Sequence, residues 1–135
     1  MITISKSYDF SAAHRLYVPG NTDEENKKLF GKCAGQHGHN YKLTVEVTGR
    51  INPETGMILN YFELDKIVKP LIDEDSGLGD HKDLDDTFHH LEGRLTAENL
   101  VVDFAELLVN SLPMEVRLTA VTLQETDKTR ATWLG

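Results

Sequence analysis

An alternating pattern over residues 37–48 constrains the fold of this chain more than any other feature. Its odd positions carry histidine or apolar side chains, and its even positions are polar, charged or glycine. The odd set is His37, His39, Tyr41, Leu43, Val45 and Val47. Because successive side chains of a β-strand point to opposite faces of a sheet, this spacing predicts a strand with both histidines on its apolar face. Two imidazoles are therefore expected to project into the protein interior.

Residues 2–14 predict a second strand, with apolar side chains at even positions and His14 on the same apolar face. If the two strands pair, His14 comes to lie beside His37 and His39. Three imidazoles are a sufficient set of protein ligands for a catalytic zinc ion, whose fourth position is left to water or substrate. Iron, nickel and copper accept the same type of ligand.

Cys33 is the only cysteine in the chain and precedes His37 by four residues. As a fourth ligand, it would complete a structural zinc site. In a loop ahead of the strand, it could equally stand beside the metal as a base or a nucleophile. The residues alone leave a structural and a catalytic metal site open.

Two helices are predicted downstream. Apolar residues recur at i, i+3, i+4 and i+7 from Leu64 to Leu71, which predicts a helix that Pro70 bends or shortens. Thr96 is the predicted N-cap of a second helix, which ends before Pro113.

The remaining segments complete the predicted architecture. A short third strand is predicted at 57–60 and a final strand at 116–126, whereas polar stretches at 17–32 and 73–86 indicate loops. This order indicates an α+β fold, in which an antiparallel sheet carries two helices on one face. Because the chain has 135 residues and no internal repeat or linker, a single domain over 1–135 is expected.

The charge balance limits the partners that the surface can bind. With 14 Lys and Arg against 22 Asp and Glu, the formal net charge is −8, which argues against a nucleic-acid partner. A small phosphate ester could still bind where local cations gather. Four cations flank the histidine-bearing segments: Arg15, Lys27, Lys28 and Lys32. The alternative interpretation makes these four solvated surface charges.

Sequence features also bear on the cellular location. No apolar run is long enough to span a bilayer, so no membrane partner is expected. The first residues lack the pattern of a secretory signal. Because one cysteine cannot form an intrachain disulfide, the sequence favours a reducing, cytoplasmic location.

Five short blocks, in the same order and at compatible separations, carry a resemblance to a known family. They are FSAAHRL at 10–16, CAGQHGHNY at 33–41, DHKDL at 80–84, TAEN at 96–99 and ET at 125–126. Together they resemble the family of 6-pyruvoyltetrahydropterin synthase and 6-carboxytetrahydropterin synthase. The similarity runs from near residue 4 to the end of the chain. It implies a tunnelling fold (T-fold), in which three subunits join their sheets into a barrel and two trimers stack as a homohexamer.

The resemblance also assigns roles to the metal-site residues. His14, His37 and His39 match the three zinc ligands of the family, in agreement with the strand alternation. Cys33 matches the catalytic base, so the resemblance favours a nearby thiolate over a fourth ligand. The implied cofactor is Zn²⁺, and the implied reaction is catalytic.

Four further residues match family positions outside the metal site. Asp80 and His81 match an Asp-His pair that works with the cysteine in proton transfer and comes from a neighbouring subunit. Glu125 matches the carboxylate that anchors the pterin, and Thr96 lies where the family has a further pterin contact. One carboxylate can accept hydrogen bonds from the amino group and the ring N–H of a pterin side by side.

The implied function is that of a zinc-dependent lyase acting on 7,8-dihydroneopterin triphosphate. Three residues separate Cys33 from His37, as in the bacterial carboxy branch. The first interpretation is therefore a 6-carboxy-5,6,7,8-tetrahydropterin synthase, which releases triphosphate and acetaldehyde on the queuosine route. The segments LFGKC and GMILN resemble the pyruvoyl branch, so a 6-pyruvoyltetrahydropterin synthase of the tetrahydrobiopterin route is the alternative. A non-catalytic zinc-binding assembly protein is a third interpretation.

Overall fold

The two histidine-bearing segments form adjacent antiparallel strands, β1 (Thr3–His14) and β2 (His37–Gly49), in the computed structural model, which describes residues 1–135. Their register places His14 opposite His37, and His39 follows two positions along β2 on the same face. The alternation predicted from the sequence is confirmed, because the buried residues of β1 and β2 other than Thr48 lie on this face.

Three more strands complete the sheet. They are β3 (Lys82–Asp83), β4 (Val116–Thr126) and β5 (Thr129–Leu134). The order across the sheet is β3-β1-β2-β4-β5, and every neighbouring pair is antiparallel except the short parallel contact between β3 and β1. The predicted final strand over 116–126 corresponds to β4, whereas β3 and β5 were not predicted.

Four helices and two 3-10 turns connect the strands. The helices are α1 (Asp23–Phe30), α2 (Tyr61–Ile72), α3 (Leu84–Thr87) and α4 (Ala97–Ser111), and the 3-10 turns cover Gly31–Ala34 and His89–Leu91. The two predicted helices correspond to α2 and α4, with Pro70 in the last turn of α2 and Thr96 at the N-cap of α4. None of the helices combines the length and the apolar character needed to cross a membrane.

The helices cover one face of the sheet and leave the other face polar. The core contains 22 buried apolar residues, among them Leu43 of β2 and Phe104 of α4, both fully buried. On the opposite face, polar side chains pair across the strands, for example Ser7 with Thr44 at 2.7 Å. This arrangement is the α+β architecture predicted from the sequence.

Residues 57–60 are not a strand, so that prediction is wrong. Asn52 donates its backbone N–H to the Met57 carbonyl at 2.9 Å, which closes a turn. The Asn60 side chain accepts from the Phe62 N–H at 2.9 Å and caps α2. These two boundaries leave too few residues between them to pair with a sheet edge.

The predicted loops contain regular structure. In 17–32, helix α1 begins at a capping box, in which the Glu25 N–H donates to Thr22 Oγ1 at 3.2 Å and the Thr22 N–H donates to Glu25 Oε1 at 3.3 Å. The Thr-x-x-Glu motif marks this start in the sequence. In 73–86, the chain forms β3 and most of α3. The loop predictions are therefore wrong over these elements.

Candidate metal centre and active site

Three histidines converge where β1 ends and β2 begins. His14, His37 and His39 each offer a ring nitrogen, and these three atoms lie within 4.8 Å of one another. The ring centroids are 4.6 Å apart for His14 and His37, and 4.9 Å apart for His37 and His39. One small cation can therefore be reached by all three imidazoles.

Hydrogen bonds to backbone carbonyls orient two of these rings. His14 Nδ1–H donates to the Leu95 carbonyl at 2.8 Å, and His37 Nδ1–H donates to the Gly35 carbonyl at 2.7 Å. Because Nδ1 carries the proton in each ring, Nε2 keeps its lone pair free for a metal ion. The backbone thus supplies the type of outer hydrogen bond that usually fixes metal-binding histidines.

The third ring, His39, has a buried nitrogen without a hydrogen-bond partner. Its Nε2 lies 3.5 Å from Glu125 Oε1, but the geometry does not form a hydrogen bond. Burial lowers the pKa of His39, although the charge of Glu125 opposes this effect. Burial also lowers the pKa of His14, against the opposing effect of its hydrogen bond to Leu95. Neutral imidazoles and an unpaired buried nitrogen suit a divalent metal such as zinc.

Cys33 lies in the 3-10 turn that follows α1, and its side chain is half-buried. It lines a cavity of about 240 Å³ together with His14, Thr96 and Glu125. The Cys33 carbonyl accepts the Leu16 N–H at 2.8 Å, which ties the turn to the segment after β1. The structure therefore brings four of the predicted site residues to one cavity, which we call the thiol cavity.

Glu125 and Thr96 enter the thiol cavity from different elements. Glu125 lies near the end of β4, where the pairing with β5 shifts register between Gln124 and Thr126. Two positions after the buried Leu123, it lies on the same side of β4, and its Oε1 atom reaches to 3.5 Å from His39 Nε2. Thr96 Oγ1 accepts the Asn99 N–H at 3.3 Å, so this residue both caps α4 and lines the cavity.

Asp80 and His81 lie elsewhere in the chain and do not line the thiol cavity. Asp80 Oδ1 accepts the Ser11 N–H at 2.9 Å, and His81 Nδ1 lies 3.1 Å from Asp80 Oδ2. The Ser11 hydrogen bond is the largest cause that lowers the pKa of Asp80. His81 has a φ of 56° and exposes its ring. Within one chain, this pair and Cys33 occupy separate surfaces.

Two charged residues that line the thiol cavity were not among the predicted site residues. Glu98 follows Thr96 in the first turn of α4, and Arg130 lies on β5, opposite Gln124. The unpredicted strand explains why Arg130 was missed. The alternation over 129–134 after the Asp127–Lys128 turn was the available signal for a hairpin.

Comparisons with known proteins agree with this geometry. A family model described as 6-pyruvoyl tetrahydropterin synthase matches residues 3–135. Human 6-pyruvoyl tetrahydrobiopterin synthase is 42% identical over 135 residues, covering 98% of this chain and 90% of the human protein. The structure of Caenorhabditis elegans 6-pyruvoyl tetrahydropterin synthase matches with a TM-score of 0.85 and 33% identity, covering 99% of this chain and 95% of that chain.

A relative named for the carboxy branch matches over a shorter range. A putative 6-carboxy-5,6,7,8-tetrahydropterin synthase from Archaeoglobus fulgidus is 38% identical over 69 residues, covering 51% of this chain and 50% of that protein. The human and Caenorhabditis elegans proteins, which match along nearly the whole chain, carry the pyruvoyl name by contrast. The chain thus belongs to the 6-pyruvoyl tetrahydropterin synthase family and adopts its tunnelling fold.

Proposed function

We propose that this protein converts 7,8-dihydroneopterin triphosphate to 6-pyruvoyl tetrahydropterin with loss of triphosphate. The observation that carries the proposal is the thiol cavity, which is lined by His14 of the histidine cluster, by Cys33 and by Glu125. The near full-length relatives favour the pyruvoyl product over the carboxy product that the Cys33 spacing first indicated. The carboxy reaction therefore becomes the second candidate, and the spacing is the observation in its favour.

The three histidines would hold a zinc ion. The unpaired His39 Nε2 and the carbonyl-bound Nδ1 atoms of His14 and His37 support this assignment. Zinc supplies Lewis-acid polarisation of substrate oxygens and so acidifies the neighbouring C–H bonds. Tyr41 closes the site from the core side, with its hydroxyl 3.4 Å from the His14 ring nitrogens.

Glu125 would hold the pterin ring in the thiol cavity. Its carboxylate can accept two parallel hydrogen bonds from the amino group and ring N–H of a pterin. Its Oε1 atom lies 3.5 Å from His39 Nε2, so a pterin bound here has its side chain close to the histidine cluster. Thr96, at the N-cap of α4, would border the same ring.

Cys33 would act as the base that removes a proton from a side-chain carbon of the substrate. It is the only thiol of the chain, it is partly accessible, and it lines the same cavity as Glu125. A thiolate in this role needs a reducing compartment, which agrees with the cytoplasmic location predicted from the sequence.

His81 would return or relay the proton, with Asp80 holding its imidazole in one tautomer. The 3.1 Å separation between His81 Nδ1 and Asp80 Oδ2 supports the pairing. The pair does not line the thiol cavity of its own chain, and His81 lines another cavity together with His39. We therefore assign the relay to His81 of a neighbouring subunit, as the resemblance implies. This assignment goes together with the expected homohexamer, in which each active site lies at a subunit contact.

The proposal is tested by incubating the zinc-loaded protein with 7,8-dihydroneopterin triphosphate and identifying the products by mass spectrometry. We expect a pyruvoyl product that retains all side-chain carbons, with triphosphate and without acetaldehyde. A carboxypterin with released acetaldehyde would establish the second candidate. Unchanged substrate from a metal-replete, assembled protein would contradict both and favour a non-catalytic zinc-binding protein.

A further inference from the structure

A second cavity, of about 340 Å³, lies beside the thiol cavity and gathers basic side chains. The residues that matter for its chemistry are Arg15, Asn26, Lys27, Lys32 and Asp23. We call it the cationic cavity. Its size lies in the range of small-molecule binding pockets, about 300–1,000 Å³. Three cations against one carboxylate reverse the charge balance of the chain, which carries a formal net charge of −8.

The three basic side chains of this cavity have no ion-pair partner. Four lysines, Lys6, Lys42, Lys66 and Lys69, lie within 4.0 Å of a carboxylate oxygen, whereas Arg15, Lys27 and Lys32 do not. Lys28, Lys82 and Lys128 also lie outside this distance, so it is the shared cavity that sets Arg15, Lys27 and Lys32 apart. The Arg15 guanidinium instead lies 4.4 Å from the ring centroid of Tyr17. Its charge also acts on Asp85, whose pKa burial nevertheless raises, so this carboxyl is a poor counter-ion. Unpaired cations that share a concave surface attract a polyanion.

Asn26 provides a second, independent sign of a ligand. Its side chain lines the cationic cavity although the residue is only 7% exposed. The Val18 N–H donates to Asn26 Oδ1 at 2.9 Å, and this donor fixes which side-chain atom is the oxygen. The Asn26 Nδ2 group makes no hydrogen bond within the chain. A largely buried residue therefore leaves two N–H donors without a partner at the cavity wall.

The two cavities share a wall. Arg15 lines the cationic cavity, while His14 and Leu16 on either side of it line the thiol cavity. In the 3-10 turn, Lys32 lines the cationic cavity and the next residue, Cys33, lines the thiol cavity. The hydrogen bond from the Leu16 N–H to the Cys33 carbonyl, at 2.8 Å, joins the two parts of the wall. A ligand bound in the thiol cavity thus has the cationic cavity as its immediate neighbour.

We propose that the cationic cavity binds the triphosphate group of the substrate, an inference that rests on the proposed function. The pterin ring occupies the thiol cavity beside Glu125, and the phosphorylated end of the side chain extends over the shared wall. Arg15, Lys27 and Lys32 neutralise phosphate charge, and the Asn26 amide donates hydrogen bonds to phosphate oxygens. The subsite discriminates the triphosphate ester from the unphosphorylated pterin.

The first test measures binding of inorganic tripolyphosphate by isothermal titration calorimetry. The doubly substituted chain Lys27→Ala/Lys32→Ala should bind the probe about tenfold or more weakly than the unaltered chain. Lys28→Ala is the matched control, because Lys28 lies on the same helix but does not line the cavity. These variants keep the same histidines, so chelation of zinc by the probe is common to them. Equal affinity in the double variant and the control overturns the proposal.

The second test compares steady-state kinetics of the same variants on 7,8-dihydroneopterin triphosphate. We expect KM to rise about tenfold or more in Lys27→Ala/Lys32→Ala with kcat nearly unchanged, and Lys27→Arg/Lys32→Arg to restore most of the loss, because the guanidinium keeps the charge. An unchanged KM in the alanine variant overturns the subsite and leaves the proposed function intact. If the unaltered, zinc-loaded protein shows no turnover, the proposed function is overturned. The calorimetric test of the cationic cavity does not depend on turnover, so the two failures can be told apart.

Discussion

Polar groups at the two ends of one strand face differ in their hydrogen bonding: a partly buried carboxylate at one end is fully paired, whereas a buried imidazole nitrogen at the other end is not. At what we call the aspartate end, Asp65 of α2 accepts hydrogen bonds from Lys6 at 2.9 Å and from Tyr8 at 2.8 Å. At what we call the histidine end, His14 and His39 approach each other, and His39 Nε2 has no hydrogen-bond partner although Glu125 Oε1 lies 3.5 Å away. Lys6, Tyr8 and His14 all lie at even positions of β1, and His39 lies on the same face of the neighbouring strand β2.

The difference separates stability from binding. A network in which every polar group is paired holds elements together, because each hydrogen bond to water that is lost on folding is replaced by one within the protein. An unsatisfied cluster adds little to stability and leaves its lone pairs for a ligand. Substitutions at the histidine end should therefore change activity or metal binding, whereas substitutions at the aspartate end should change stability. The four predictions below test that division.

The largest expected effect is on turnover. Cys33→Ala should lower kcat by about 10²–10⁴-fold, because it removes the proposed base while leaving the three histidines in place. Zinc content, measured by atomic absorption, and the urea midpoint should match those of the unaltered chain. A loss of zinc together with stability would instead identify Cys33 as a structural ligand.

The second effect is on metal affinity. His39→Ala should weaken zinc binding by more than about 100-fold, since even the loss of a hydrogen bond to a ligand costs about 10–100-fold. Competition with a chromophoric chelator measures this change. In excess chelator, the free energy of unfolding should change by less than about 1 kcal/mol, because the buried nitrogen has no partner to lose. Retention of tight zinc binding would show that the cluster is not the metal site.

The third effect is on stability at the other end of the strand. Tyr8→Phe should lower the free energy of unfolding by about 1–2 kcal/mol, because it removes a hydrogen bond to a charged acceptor and leaves the aromatic ring in the core. Urea denaturation provides the measurement. Zinc affinity and kcat should stay unchanged in this variant, and a fall in either would mean that the two ends are coupled.

The smallest effect appears only in acid. Hydrogen bonds from Lys6 and then Tyr8 lower the pKa of Asp65 in the folded protein. A lowered pKa contributes stability that is present above the unfolded value, about 3.9, and is lost as the pH falls through the folded value. We therefore expect the urea midpoint, measured from pH 7 to pH 2.5, to decrease once the pH is below about 4.

Asp65→Asn should flatten that acid limb. The control is Asp9→Asn, which removes an exposed ion pair with Lys42 at 3.1 Å. Because exposed pairs contribute little, its curve should follow that of the unaltered chain. If the urea midpoint of Asp65→Asn still decreases in acid as much as that of the unaltered chain, other carboxyl groups cause the loss of stability.

Local patterns in the sequence were sufficient for the centre of the sheet and for the metal cluster. The alternation along β1 and β2 placed His14, His37 and His39 on one buried face, and the structure confirms that placement. The N-cap at Thr96 was equally local, since it depends on the turn that follows. The same reasoning failed at 57–60, where two hydrogen-bonded turns outweigh the strand preference of a short apolar run.

What the sequence by itself determined is the side of each strand on which a residue lies, because side-chain direction alternates with a period of two. Tertiary structure alone decided which of these side chains meet. The approach of Glu125 to His39 depends on the pairing of β2 with β4. Arg15 and Lys27 line one cavity because α1 is held to the segment that follows β1, where the Val18 N–H donates to Asn26 Oδ1. These contacts join residues far apart in the chain, so packing and long-range hydrogen bonding fix them, and no local period records them.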